Sequence, residues 1–167
     1  MKKIAVCLFI VLAFISLSCR TAPRTSGAVI EGDVTQEKID DALEQIYETY
    51  RGRLDLTGAQ SYVVVRGDSL SQIARRFFGS LTNVGEAGVN NGFYFPVIML
   101  ASPDSHIVDP DLIEPGLALN IPDLQRNLAN SSARRAIKDF LFEIAYIYNR
   151  KDRPAEEEGL RRLADSL

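Results

Sequence analysis

The chain has 167 residues, of which 25% are charged and 46% hydrophobic, and its net charge at pH 7 is −3. This length accommodates one ordinary domain, or a small module with extensions. The composition lacks the basic excess with which nucleic-acid-binding proteins replace the counterions of phosphate, so it argues against a nucleic acid partner.

Residues 1–18 have the pattern of a signal peptide. Lys2 and Lys3 make the start positive, and residues 4–17 form an apolar run that is too short for a comfortable membrane span. The run leads to Cys19 and resembles a bacterial lipoprotein signal, in which the cysteine becomes the lipidated first residue. Ser16 stands where such signals usually carry Leu, a relaxed form that is familiar in spirochaetes.

Cysteine use agrees with a lipid anchor at Cys19. The other cysteine, Cys7, lies in the segment that would be removed, so the mature chain has no partner for an internal disulfide. Acyl chains gain about 0.8 kcal/mol per buried CH₂, and two or more hold stably. We therefore expect an exported protein of the cell envelope that faces the periplasm and meets the membrane through an N-terminal lipid.

The next segments predict a tether and then a helix. Residues 19–33 are rich in small and polar residues without periodicity, which is typical of a flexible tether. Residues 34–52 predict an amphipathic helix with Thr35 as its N-cap and Gly52 at its end. Its apolar residues recur at helical spacing along one face: Ile39, Ala42, Leu43, Ile46, Tyr47 and Tyr50.

A second amphipathic helix is predicted at residues 131–150, with Ser131 or Ser132 as its cap. Residues 151–167 read as a charged tail, broken at Pro154, with at most a loose turn or two of helix. Two uses of the apolar faces stay open, namely packing within the molecule and binding of a partner protein. The apolar face of this helix consists of Ile137, Phe140, Leu141, Ile144 and Tyr148.

The centre of the chain predicts the order strand, helix, helix, strand. Residues 62–65 are β-branched and aromatic, Gly67 permits a turn, and Asp68 or Ser69 can cap the helix that follows. Residues 95–101 and 117–121 predict a second helix and a closing strand. A two-stranded sheet is marginal alone, so helices should cover one face. The buried face of the first helix is predicted to hold Leu70, Ile73, Ala74 and Phe77.

Two motifs in this central region resemble the LysM domain. The first is Gly67-Asp68-Ser69-Leu70 after a Val-rich strand, and the second is Asp-Pro-x-x-Ile-x-Pro-Gly at residues 109–116. The resemblance covers residues 61–123 and implies an α+β fold. In that fold a βααβ module, a two-stranded antiparallel sheet with two helices on one face, is flanked here by the N-terminal and C-terminal amphipathic helices. It also implies non-catalytic binding of peptidoglycan or a related N-acetylglucosamine polymer.

In LysM domains the sugar lies in a shallow groove between two loops, and the resemblance places these loops in this chain. Leu70 could equally well pack in the core instead of contacting the sugar. Asp68 could equally well cap the helix. Ser102 replaces the Asn that usually ends the second helix of the family. The glycan-binding residues implied are Gly67, Asp68, Ser69 and Leu70 on one wall, and Ser102, Pro103, Ile107 and Val108 on the other.

No motif predicts a metal, a cofactor or a catalytic centre. His106 is the sole histidine, and the other candidate metal ligands near it in the sequence are all carboxylates. The acidic residues of this region lack the ligand spacing of a calcium loop, and turn capping explains them. No serine lies in a nucleophile motif. The acidic residues concerned are Asp104, Asp109, Asp111 and Glu114.

Three hypotheses follow for the function. The first is an exported lipoprotein that binds peptidoglycan through one LysM module. The second is a protein-interaction scaffold whose sugar groove is degenerate and whose flanking helices bind an envelope protein. The third is a cell-wall hydrolase or an accessory to one. Burial of Ile144 inside the monomer would weaken the second hypothesis.

Overall fold

The computed structural model describes residues 26–79, 90–105, 107 and 109–167. Cys19, His106, Val108 and the predicted signal peptide lie outside the described residues. In chain order the elements are helix α1 (Gln36–Tyr50), strand β1 (Gln60–Val63), helix α2 (Leu70–Phe78), a 3-10 helix (Asn91–Tyr94), helix α3 (Phe95–Ala101), a second 3-10 helix (Pro103–Ser105), strand β2 (Ala118–Ile121), and helices α4 (Leu124–Ala129), α5 (Ser131–Arg150) and α6 (Pro154–Asp165).

Strands β1 and β2 pair antiparallel, with Tyr62 opposite Leu119. Backbone bonds extend the pairing past the strand ends, because Val64 donates to Leu117 O at 2.9 Å and Gly116 donates to Val64 O at 2.8 Å. Leu119 is buried, whereas the outward side of the sheet is exposed. The predicted α+β fold, with the order strand, helix, helix, strand and with flanking helices, is confirmed.

The first helix of the module begins at a reciprocal cap. Ser69 accepts from the Gln72 backbone N–H, and the Gln72 side chain accepts from the Ser69 backbone N–H. Ser69, not Asp68, is therefore the N-cap. The buried face of α2 also differs by one position from the prediction, because Phe78 enters the core while Phe77 stays half-buried, edge-on to Tyr62 at a ring distance of 5.5 Å.

The flanking helices α1 and α5 bury their apolar stripes in the same core as the module. Ile144 is 0% exposed, so this stripe is used within the monomer and the scaffold alternative is not favoured. Asn130 caps α5 by accepting from the backbone N–H groups of Ser132 and Ala133, which corrects the predicted cap at Ser131 or Ser132.

Part of the predicted tether, residues 19–33, is packed against the core, although residues 31–33 are exposed. Ala28 is 0% exposed and Ile30 is 4% exposed. The Ile30 N–H donates to the Tyr146 hydroxyl at 2.9 Å. The buried side chains of Ala28 and Ile30 and the hydrogen bond to Tyr146 hold residues 28–30 against helix α5.

The chain ends in a helix rather than in a loose charged tail. Helix α6 has 12 residues and buries Leu160, Leu163 and Ala164, because its apolar residues recur at helical spacing among the charges. A Cβ at Gly159 would overlap the ring of Phe93, so the glycine lets the 3-10 helix approach α6 closely.

Helix α4 is a further element that the sequence pattern did not predict. Its Asn127 is 0% exposed and exchanges hydrogen bonds with the backbone of Asp55 at 2.8 and 2.9 Å. Among the described residues, no helix combines the length and the apolar character that crossing a membrane requires.

We expect Gly159→Ala to lower the free energy of unfolding by about 1–3 kcal/mol, because the added methyl group meets the Phe93 ring in a packed contact. Urea unfolding of the parent and the variant measures the difference. Phe93→Leu combined with Gly159→Ala should recover part of the loss, since the smaller side chain leaves room for the methyl group. Strictly additive effects of the two substitutions would contradict this contact.

Candidate functional site

The turn between β1 and α2 is held by Asp68. Gly67 lies at φ +92°, in the left-handed region that favours glycine. Asp68 Oδ2 accepts from the Tyr62 hydroxyl at 2.6 Å and from the Val65 N–H at 3.0 Å, and Arg76 lies 3.5 Å from Oδ1. These donors, first the Tyr62 hydroxyl, hold the pKa of Asp68 below its usual range. The carboxylate is thus engaged in shaping the turn.

Salt bridges join the connection between α3 and β2 to the end of helix α5, where Asp109 is buried and Asp111 is more exposed. Asp109 is 3% exposed, and its two carboxylate oxygens lie 2.9 and 3.0 Å from Lys151 Nζ. The same ammonium group lies 2.7 Å from Asp111 Oδ2, and the Tyr148 hydroxyl donates to Asp111 Oδ1 at 2.8 Å. Asp109 and Asp111 therefore do more than cap a turn.

The protonation states of these partners suit the arrangement. Burial by itself lowers the pKa of Lys151, but hydrogen bonds to Asp111 and Asp109 outweigh it, so the pKa of Lys151 is raised on balance. Burial, and then the charge of Asp111, raise the pKa of the Tyr148 hydroxyl above its usual range. Lys151 stays a cation and Tyr148 stays a hydrogen-bond donor at neutral pH, so the buried Asp109 and the more exposed Asp111 both keep their partners.

A cavity of about 320 Å³ opens where these two connections meet. This volume lies within the range of roughly 300–1,000 Å³ that is typical of ligand sites. Its lining mixes apolar and aromatic side chains with a few polar and charged groups. The module contributes Ser69, Leu70, Ser71, Arg75, Asn90, Gly92, Phe93, Phe95, Pro110, Asp111 and Ile113, and the C-terminal helices with their connection contribute Tyr148, Arg153, Ala155 and Glu156.

The structure brings only part of the predicted glycan-binding set into this cavity. Ser69 and Leu70 line it, while Leu70 is also 2% exposed and packs in the core. Gly67 and Asp68 belong to the adjoining turn. The role of all four in sugar binding stays a prediction.

The predicted second wall lies elsewhere. Ser102 is 1% exposed, and its hydroxyl accepts from the Asn120 N–H at 2.8 Å, which ties α3 to β2. Pro103 and Ile107 line a smaller cavity of about 110 Å³ beside helix α1. Val108 lies outside the described residues. The structure therefore does not join these residues to the cavity that Ser69 and Leu70 line.

Sequence reasoning missed two groups of cavity residues. Pro110, Asp111 and Ile113 stand in the Asp-Pro-x-x-Ile motif itself, so the motif could have indicated them. Tyr148 and Arg153 lie far along the chain, and no local pattern connects them with the module. Among the described residues, no group of three or more His, Cys, Asp or Glu side chains could hold a metal ion.

The two-stranded sheet with helices packed beside it forms a small α+β module, and a cavity with apolar and polar lining opens at the ends of its connecting segments. The family model of the LysM domain matches residues 62–122, so this part of the chain is a LysM domain. LysM domains generally bind peptidoglycan and other N-acetylglucosamine-containing glycans. They are generally non-catalytic and usually occur in extracellular or envelope proteins.

The match covers a little over a third of the chain, and α1, α5 and α6 lie outside it. A search of the curated proteins and a search of the solved structures each find no match to this chain.

We expect Lys151→Met to lower the free energy of unfolding by about 3 kcal/mol, because it leaves the buried carboxylate of Asp109 without its cation. Urea unfolding at pH 7 measures this change. The double variant with Asp109→Asn should be more stable than Lys151→Met alone, since the unpaired buried charge is then removed. A single variant as stable as the parent would show that the ion pair does not support the fold.

Proposed function

We propose that this protein binds peptidoglycan non-covalently through the 320 Å³ cavity, as an exported and lipid-anchored protein of the cell envelope. One observation carries the proposal: in a chain with a LysM domain at residues 62–122, the two connecting segments of that domain meet at this cavity. Ser69 and Leu70 come from the first segment, and Pro110 and Ile113 come from the second.

The lining suits an N-acetylated sugar, which carries an apolar methyl group beside an amide and several hydroxyl groups. Ile113 and Phe93, both half-buried, offer apolar surface for the methyl group. Ser71 and Asn90 offer polar side chains for the amide and the hydroxyl groups. Sites of this type combine mostly apolar walls with a few polar groups that fix orientation.

The N-terminal sequence supports the cellular context. Lys2, Lys3 and the apolar run of residues 4–17 precede Cys19, the one cysteine left after removal of the signal segment. A lipid on Cys19 would hold the protein at an envelope membrane while the domain reaches the cell wall. In this proposal the protein acts by binding, without catalysis.

Ser71→Tyr tests the cavity, because the larger side chain would fill the space beside Ser69. We expect residues 20–167 to sediment with purified peptidoglycan sacculi and the variant to lose at least tenfold in affinity, a loss of about 1.4 kcal/mol. Sedimentation across a range of protein concentrations measures both affinities.

Ser61→Tyr is the matched control. Ser61 is exposed on strand β1 and does not line the cavity, so the same substitution there should leave binding unchanged. Circular dichroism checks that both variants fold. Failure of the parent to sediment at any salt concentration would refute glycan binding, and equal losses in both variants would refute this cavity as the site.

The anchor has its own test. We expect cells that express the full chain to incorporate a labelled fatty acid into it, and Cys19→Ser to abolish the label, because the thiol is the acylated group. Cys7→Ser should keep the label. Labelling that persists in Cys19→Ser would refute the anchor and leave the glycan site untouched.

A further inference from the structure

Among the described side chains that line the cavity, some of the charged ones have a partner of opposite charge, and one does not. Within the described residues, the two carboxylates of its lining, Asp111 and Glu156, each have a cation partner. Asp111 lies 2.7 Å from Lys151, and Glu156 hydrogen-bonds to Arg153. Neither carboxylate therefore needs a ligand to supply its counter-charge.

Arg153 is likewise engaged. Its Nη1 lies 3.5 Å from Asp111 Oδ2, its other terminal nitrogen bonds to Glu156, and its guanidinium carbon lies 5.8 Å from the centre of the Tyr148 ring. Two carboxylates and an aromatic face together satisfy this cation. Arg153 closes one side of the cavity without offering an unpaired charge.

Arg75 differs from these groups. It projects from helix α2, and its guanidinium forms no ion pair or hydrogen bond with any described residue. Its stem lies against the 3-10 helix, because a Cβ at Gly92 would be 3.3 Å from Arg75 Cγ. The stem is thus supported while the charged end stays available at the cavity.

We propose that the cavity selects N-acetylated glycans that carry a carboxylate over neutral N-acetylglucosamine polymers, and that Arg75 is the residue that determines this preference. The inference rests on the proposed function and names the substrate class of that site. A guanidinium group pairs with a carboxylate through two parallel hydrogen bonds, which favours an acidic ligand over a neutral one of similar shape.

Peptidoglycan contains carboxylates of two kinds, on the lactyl group of muramic acid and on the stem peptide. Three soluble ligands separate them. Chitohexaose carries no carboxylate. Glycan strands stripped of peptide by an amidase expose lactyl carboxylates, and strands that keep their peptides present peptide carboxylates instead. Isothermal titration of residues 20–167 with each ligand gives the affinities.

We expect the parent to bind at least one of the two acidic ligands more tightly than chitohexaose. Arg75→Gln should weaken that binding roughly threefold to fivefold, as for a partly exposed ion pair. Its affinity for chitohexaose should stay unchanged. The acidic ligand that responds identifies the carboxylate. Arg75→Lys, which keeps the charge, should retain part of the preference, and Arg134→Gln on an exposed turn of α5 is the matched control.

Salt gives a readout that needs no variant. The affinity of the parent for the preferred acidic ligand should fall as NaCl rises, whereas binding of chitohexaose should change little. Equal affinity of the parent for all three ligands, or an unchanged preference in Arg75→Gln, would overturn the inference and leave the proposed function standing. A parent that binds none of the three would overturn both.

Discussion

The contact on which this arrangement most depends is the salt bridge from the buried Asp109 and the more exposed Asp111 to Lys151. The connection between α3 and β2 has little regular structure of its own, and the carboxylate of Asp109 would be costly to bury alone. Lys151, at the end of α5, satisfies both of them, and Tyr148 adds a hydrogen bond. One side of the cavity is thereby fixed by a helix that lies outside the LysM domain.

The LysM domain packs together with the flanking helices as one larger structural unit. The LysM domain spans residues 62–122, yet helices α1, α5 and α6 share its core. A two-stranded sheet gains little stability alone, and the added helices supply apolar surface to bury. The same helices bring Arg153 and Glu156 to the cavity. Stability and the shape of the site therefore come from the same packing.

Local patterns predicted the elements well and their ends less well. The apolar face of α5 could be predicted from the sequence, because its residues recur at helical spacing whatever the helix packs against. Its cap was predicted at Ser131 or Ser132 and lies at Asn130, because only the backbone decides which of several neighbouring polar residues meets the free N–H groups. Phe77 and Phe78 are neighbours of equal hydrophobicity, so only packing could decide that Phe78 enters the core. Helix α6 was missed because its charges obscure a short apolar stripe.

The sequence by itself determined the module and its strand and helix order, because a turn glycine, a cap and two apolar stripes act over a few neighbouring residues. Only the tertiary structure decided which side chains meet at the cavity. Pro103 and Ile107 line a different cavity from Ser69. Asp111 lies beside Tyr148 and Arg153, although these residues are far from it in the sequence. Such contacts depend on how helices far apart in the chain pack together, and no local pattern records that geometry.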